Sequence, residues 1–136
     1  MKEIKFRAWV KSETGGTWYM SYPRWIDLEG KRICTESGLQ PSEFKLMRFT
    51  GLCDKSGREI YESDKFKNPK TGLIGIVIFK DGCFFVRWPD GQTEYLHSAS
   101  SYAEYIGNIY EELLMIEKEL ESVSAVRSNI EKLLGN

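Results

Sequence analysis

The 136-residue chain has one histidine, three cysteines and four prolines, and its apolar runs are short. Each scarcity excludes something. One histidine, His97, cannot furnish paired imidazoles. Cys34, Cys53 and Cys83 are far apart in sequence, unlike the close pairs that zinc sites use. No metal or cofactor is therefore expected, and the three thiols read as free, buried or half-buried side chains. Apolar runs such as Ile74–Phe79 fall far short of the roughly 20 residues that cross a bilayer. The opening MKEIKFRAWVKSE carries charge throughout and lacks the apolar stretch of a secretory signal. A cytoplasmic protein without a membrane partner is expected. There is no glycine-rich phosphate cradle, and His97 has no readable nucleophile or orienting group. No enzyme active site and no small-molecule substrate are expected, and Asp54, Glu59, Glu62 and Asp64 read as structural carboxylates, Asp54 in a turn and Glu59 and Glu62 as surface charges.

What is present describes an ordinary folded globule. The chain is 41% hydrophobic and 29% charged, with seven Phe, seven Tyr and four Trp, which argues against disorder. A chain this long buries about 65–70% of its unfolded surface and needs no disulfide or metal staple. The net charge is −1, unevenly spread: residues 1–70 carry 14 Lys/Arg against 10 Asp/Glu, and residues 71–136 carry 5 against 10. That asymmetry is too mild to announce a nucleic-acid partner by itself.

Ile4–Ala8 alternates apolar and polar residues, the pattern of a half-buried strand. Gly15-Gly16 supplies a turn, and Thr17–Tyr22 returns as a second strand, so the two predict a hairpin. Weaker strand signals follow around Trp25, Ile26 and Leu28 and at Arg32–Thr35, then a clearer one at Phe44–Thr50. Asp54-Lys55-Ser56-Gly57 is a tight-turn signature, and Glu59-Ile60-Tyr61 follows it. The middle is the most legible part. Asp64–Lys67, Leu73–Lys80, Cys83–Trp88 and Thr93–His97 are short strands separated by turn residues, with Asp81-Gly82 the strongest hairpin signal. Short strands with such turns predict a small SH3-like barrel.

From Glu111 to Leu134 there is neither Gly nor Pro. Leu113, Ile116, Leu120, Val123, Ile130 and Leu134 recur at three- and four-residue spacing if one step lands on Arg127, which predicts an amphipathic helix. Such a helix either packs on its own barrel or pairs with another chain through Leu113, Ile116, Leu120, Val123 and Ile130.

Three stretches stand out beyond their secondary-structure signals: Lys5-Phe6-Arg7-Ala8-Trp9, the run Leu46–Asp64 and Ile106-Gly107-Asn108-Ile109-Tyr110-Glu111. The central run contains Thr50-Gly51-Leu52, Asp54-Lys55-Ser56-Gly57 and Glu59-Ile60-Tyr61-Glu62. In that order they resemble the opening motif, the central signature and the ending of the YopX family of phage and prophage proteins. Ser63 stands where the family pattern has Gly, from which the turn before Asp64 is expected not to require positive φ. The long tail after Glu111 departs from the family ending. The resemblance implies a phage or prophage product of unassigned biochemical function and transfers no catalytic residue.

The expected architecture is α+β and mostly antiparallel. It comprises a β-rich segment over 1–49, an SH3-like barrel over 50–110 and a C-terminal amphipathic helix over 111–136. The expected function is that of a non-enzymatic accessory protein whose partner is itself, as a homo-oligomer, or another protein. The alternative is a small nucleic-acid-binding module that uses a basic strand edge: Arg48, Lys55, Arg58, Lys65, Lys67 and Lys70 for phosphates, with Phe66 as an interleaved stacking residue.

Overall fold

The hairpin expected between residues 4 and 22 is present in the computed structural model, which describes residues 5–27, 29 and 31–135. β1 (Phe6–Lys11) pairs antiparallel with β2 (Trp18–Ser21), and on its other side with β5 (Phe44–Cys53), where Arg7 lies opposite Met47. β6 (Glu59–Tyr61) joins β5, giving a four-stranded sheet ordered β2-β1-β5-β6. The weak signals around Trp25 and Cys34 become a two-stranded ribbon, β3 (Trp25–Ile26) and β4 (Ile33–Cys34); Leu28 lies outside the described residues.

β1 corrects one expectation. Alternation marked it as half-buried, yet Arg7, Ala8, Trp9 and Val10 are all buried. Ala8 and Val10 pack with Ile33, Phe44 and Leu46, while Trp9 packs with Met47 and Tyr61 in a separate cluster. The polar residue in the alternation, Arg7, is buried because it is ion-paired rather than solvated.

The second sheet has five antiparallel strands: β7 (Asp64–Lys67), β8 (Ile74–Lys80), β9 (Cys83–Arg87), β10 (Thr93–Tyr95) and β11 (Glu104–Asn108). Asp81 and Gly82 have φ of 51° and 78°, the two positive values that a two-residue hairpin turn of this hand requires. The strand expected to reach His97 stops at Tyr95. Leu96–Ala99 instead form one helical turn, α1, because Leu96 and Ala99 both bury into the core. β11 then returns beside β7, with Glu104 opposite Lys67, so the order is β10-β9-β8-β7-β11. Ile60, Phe66, Val77, Val86, Leu96 and Ala103 form the core of this half-barrel sheet.

The architecture is α+β: mostly antiparallel β with a C-terminal helix. β5 is continuous across residues 49 and 50, where a segment boundary was expected. α2 (Ile109–Leu133) begins two residues earlier than the expected Glu111, because Asn108 accepts the N–H groups of Tyr110 and Glu111 and thereby caps the helix. The thiols also differ from expectation. Cys34 is buried, but Cys53 and Cys83 are exposed at strand ends, and all three are free.

Candidate functional site

The three motifs singled out in the sequence meet at one place. Arg7 of β1 and Asp64 at the start of β7 form a direct ion pair, with side chains 6% and 0% exposed, joining the two sheets at a separation of 57 residues. The second Asp64 oxygen accepts the Tyr61 N–H at 2.8 Å. The Arg7 guanidinium lies 4.6 Å from the Tyr61 ring centroid. Burial pushes the Asp64 carboxyl above its ordinary range, while Arg7 and the Tyr61 N–H pull the other way. Asn108, opposite Asp64 in the β11–β7 pairing, begins α2, and Tyr110 stacks on Trp9 with ring centroids 6.4 Å apart.

The remaining signature residues build the chain path into this joint. Gly51, at φ 82°, sits in the register shift between β5 and β6, a conformation that glycine adopts without penalty. The Thr50 hydroxyl closes that irregularity by donating to the Ile60 carbonyl at 2.7 Å and accepting from Leu52 N–H at 3.2 Å. Asp54 accepts the N–H groups of Ser56 and Arg58, which fixes the expected turn. Glu62 accepts the Arg48 N–H at 2.9 Å. Gly107, at φ 117°, occupies the bulge that turns β11 toward α2.

Ser63 overturns the reading of its own turn. It stands at φ 73°, so the turn does use positive φ, and it does so with a residue that pays for the conformation. Two backbone bonds hold it there: Ser63 N–H donates to Val77, and its carbonyl accepts from Ile109.

Beyond this joint α2 leaves the β sheets. Tyr110 and Leu114 pack with Trp9, Met47 and Tyr61, and Glu112 pairs with Lys65 at 2.6 Å. Every described residue after Leu114 is exposed. The stripe residues Leu113, Ile116, Leu120, Val123 and Ile130 are 45–64% exposed, although all are apolar.

The sequence matches the family described as YopX protein over residues 5–117. The chain belongs to the YopX family. A solved structure, protein EF1440 from Enterococcus faecalis, has a similar fold, with a TM-score of 0.55 and 23% sequence identity over 82% of this chain and 96% of that one. No curated protein matches. The YopX match ends at Glu117, so most of α2 lies outside it, and the signature inside it is accounted for by the Arg7–Asp64 joint and its approaches.

The basic residues expected to track a nucleic-acid backbone are mostly engaged. Arg48 pairs with Glu62 at 3.3 Å and lies over the Phe79 ring. Lys55 approaches Glu104 at 3.9 Å, Arg58 lies 4.0 Å from the Tyr105 ring centroid, and Lys65 holds Glu112. Among the described residues no ion pair involves Lys67 or Lys70. Phe66 is a correction: at 1% exposure it belongs to the core and cannot stack a base. Alternation in Asp64–Lys67 already signals this, since Lys65 and Lys67 share one face and Phe66 takes the other.

The carboxylates show structural partners. Besides Asp54, Glu62 and Asp64, Glu59 pairs with Lys5, and His97 sits exposed on α1. No cluster of three His, Cys, Asp or Glu able to hold a metal occurs among the described residues, and no described helix is long and apolar enough to cross a membrane. A cavity of about 470 Å³ opens beside the joint, lined in part by Tyr22, Trp25, Glu59 and Tyr61. Its described lining holds no serine, cysteine or histidine. The feature that sequence reasoning missed is the buried partnership of Arg7 with Asp64. Its only local signal is an arginine flanked on both sides by apolar residues.

Proposed function

We propose that this YopX-family chain is a non-enzymatic accessory protein of a phage or prophage, working in the host cytoplasm through protein contacts and assembling with copies of itself through α2. The observation that carries the reading is the apolar stripe of α2, left exposed on a helix that outruns the β sheets. Fully burying one such side chain is worth about 1.5–3 kcal/mol. A soluble helix retains a row of this kind against solvent only at a cost, which a partner helix removes.

The β7–β10 meander, the single helical turn α1 and the return of β11 beside β7 support the finer reading of the second sheet as an SH3-like barrel that serves as a platform for the helix. Nucleic-acid binding gains no such support, since Phe66 is buried and most of the named cations have partners.

Light scattering at several concentrations tests the assembly. The wild-type chain is expected to exceed its monomer mass, and Leu120→Glu with Val123→Glu is expected to return it to the monomer. Both positions are exposed, so the variant keeps its β core. A wild-type chain that stays monomeric at hundreds of micromolar refutes the proposal.

A further inference from the structure

The charges along α2 are as unevenly placed as its apolar residues are evenly placed. Glu111, Glu112, Glu117, Glu119 and Glu121 crowd the half nearest the β sheets, with only Lys118 against them, while Arg127 and Lys132 outnumber Glu131 in the far half. Arg127 also occupies the stripe itself, one heptad after Leu120 and one before Leu134. We propose that the partner of α2 is a second copy of α2 running antiparallel, so that Arg127 of each copy is received by the acidic half of the other. This rests on the self-assembly reading above and adds its geometry.

Register decides the direction of the pair. In a parallel pair each stripe residue meets itself, so Arg127 faces Arg127 at the centre of the seam. Glu112 then lies across from Glu117 of the other copy, because flanking positions five residues apart meet in that arrangement. Both contacts bring like charges together. An antiparallel pair centred between Glu121 and Ser122 places Leu120 against Val123, Leu113 against Ile130 and Ile116 against Arg127. The Arg127 stem then packs on Ile116 while its guanidinium reaches Glu112, Glu117 or Glu119 of the other copy. Every layer of the seam is filled, and no like-charged pair lies across it.

The interface is large enough to matter. Six seam layers, from the level of Leu113 to that of Ile130, span about 26 Å of helix and remove on the order of 1,000 Å² in total, the level a specific protein interface has to reach. The apolar seam can be extended at the root of the helix. Trp9, Trp18, Tyr110, Leu113 and Leu114 line a cavity of about 210 Å³ there. The antiparallel register delivers the second copy's Leu133 and Leu134 to the same level, and these side chains are 87% and 70% exposed.

Spin labelling of the full chain at Lys132→Cys, with the exposed Cys53 and Cys83 changed to serine, reads the direction. Antiparallel pairing puts the two labels beyond about 30 Å, and parallel pairing holds them near 20 Å. Charge reversal provides the second arm. Arg127→Glu is expected to weaken dimerisation about tenfold, and adding Glu117→Lys and Glu119→Lys to it is expected to restore the wild-type affinity. A dimer with the short distance, or one indifferent to Arg127→Glu, overturns the antiparallel arrangement and leaves self-assembly standing. A chain that is monomeric throughout overturns both.

Discussion

Arg7 is the residue on which the joint between the two sheets can be tested most directly. Removing one member of a buried ion pair leaves an uncompensated charge and costs about 3–5 kcal/mol, so Arg7→Met is expected to lose that much at pH 8. Asp64 sets how the loss varies with pH. Its carboxyl already lies above the ordinary 3.8 through burial, and without Arg7 it rises further. A folded pKa raised above the unfolded one means that the stability is full below the unfolded value and is lost as pH rises through the folded value. Arg7→Met should therefore approach wild type near pH 4 and fall furthest behind at pH 8, as read from urea midpoints. Arg7→Met with Asp64→Leu should recover most of the deficit; a single variant within 1 kcal/mol of wild type at pH 8 shows that the pair is not the joint. Tyr61 gives a contrary case. It is 2% exposed and its hydroxyl has no hydrogen-bond partner among the described residues, while an unmet buried polar group costs about 1–3 kcal/mol. Tyr61→Phe is expected to be neutral or stabilising by up to about 1 kcal/mol. Burial, then the nearby Glu59, pushes the Tyr61 phenol up to about 12. Stability contributed below pH 10 is thus lost as pH rises toward 12, and Tyr61→Phe should flatten that alkaline decline. Tyr102, also raised to about 12 by burial and its bond to Glu94, and Tyr105, raised by its burial, keep the rest of the slope.

At the level of elements, the turn between β6 and β7 carries a strained residue whose relief can be measured. An L-residue in the left-handed region costs roughly 1–2 kcal/mol, and Ser63 is there at φ 73°. Ser63→Gly is expected to raise stability by about 1 kcal/mol, a rise of about 3–5 °C in Tm by calorimetry. An unchanged or lower Tm would mean that the serine side chain compensates the backbone. The same turn shows what the sequence can and cannot convey. Asp81-Gly82 and Asp54–Gly57 were legible because the conformation each needs is written in its own residues. Ser63 was not, because its conformation is imposed by bonds to Val77 and Ile109, 14 and 46 positions away. Arg7 read as a solvent-facing residue because alternation reports polarity and is silent about a partner 57 residues on. α1 was hidden because β-prone Thr93–Tyr95 runs into it without a break, and only the burial of Leu96 and Ala99 turns the chain. The α2 stripe was legible as a stripe, yet its destination was not, because the same spacing serves a helix packed on its own sheets and one packed on another chain.

Across the whole molecule the β sheets and α2 should respond differently to dilution. The sheets have three buried clusters and a buried ion pair to hold them, none of which needs a second copy. The part of α2 beyond Leu114 packs against none of these clusters. A free helix of about 20 residues without tertiary contacts is marginal in water, and this one contains three serines and two valines between Glu121 and Ser128, which lower helix propensity further. Pairing would therefore supply most of its order, and its helicity should follow mass action. Ellipticity at 222 nm per residue is expected to strengthen with protein concentration, with a midpoint that coincides with the dissociation midpoint from light scattering. The thermal unfolding of the sheets, followed by tryptophan fluorescence, should shift little over the same range. Leu120→Glu with Val123→Glu should abolish the concentration dependence and leave the chain at its low-concentration helicity. Full helicity at high dilution would mean that α2 is ordered by its own sequence, and the exposed stripe would then need another explanation than a second copy.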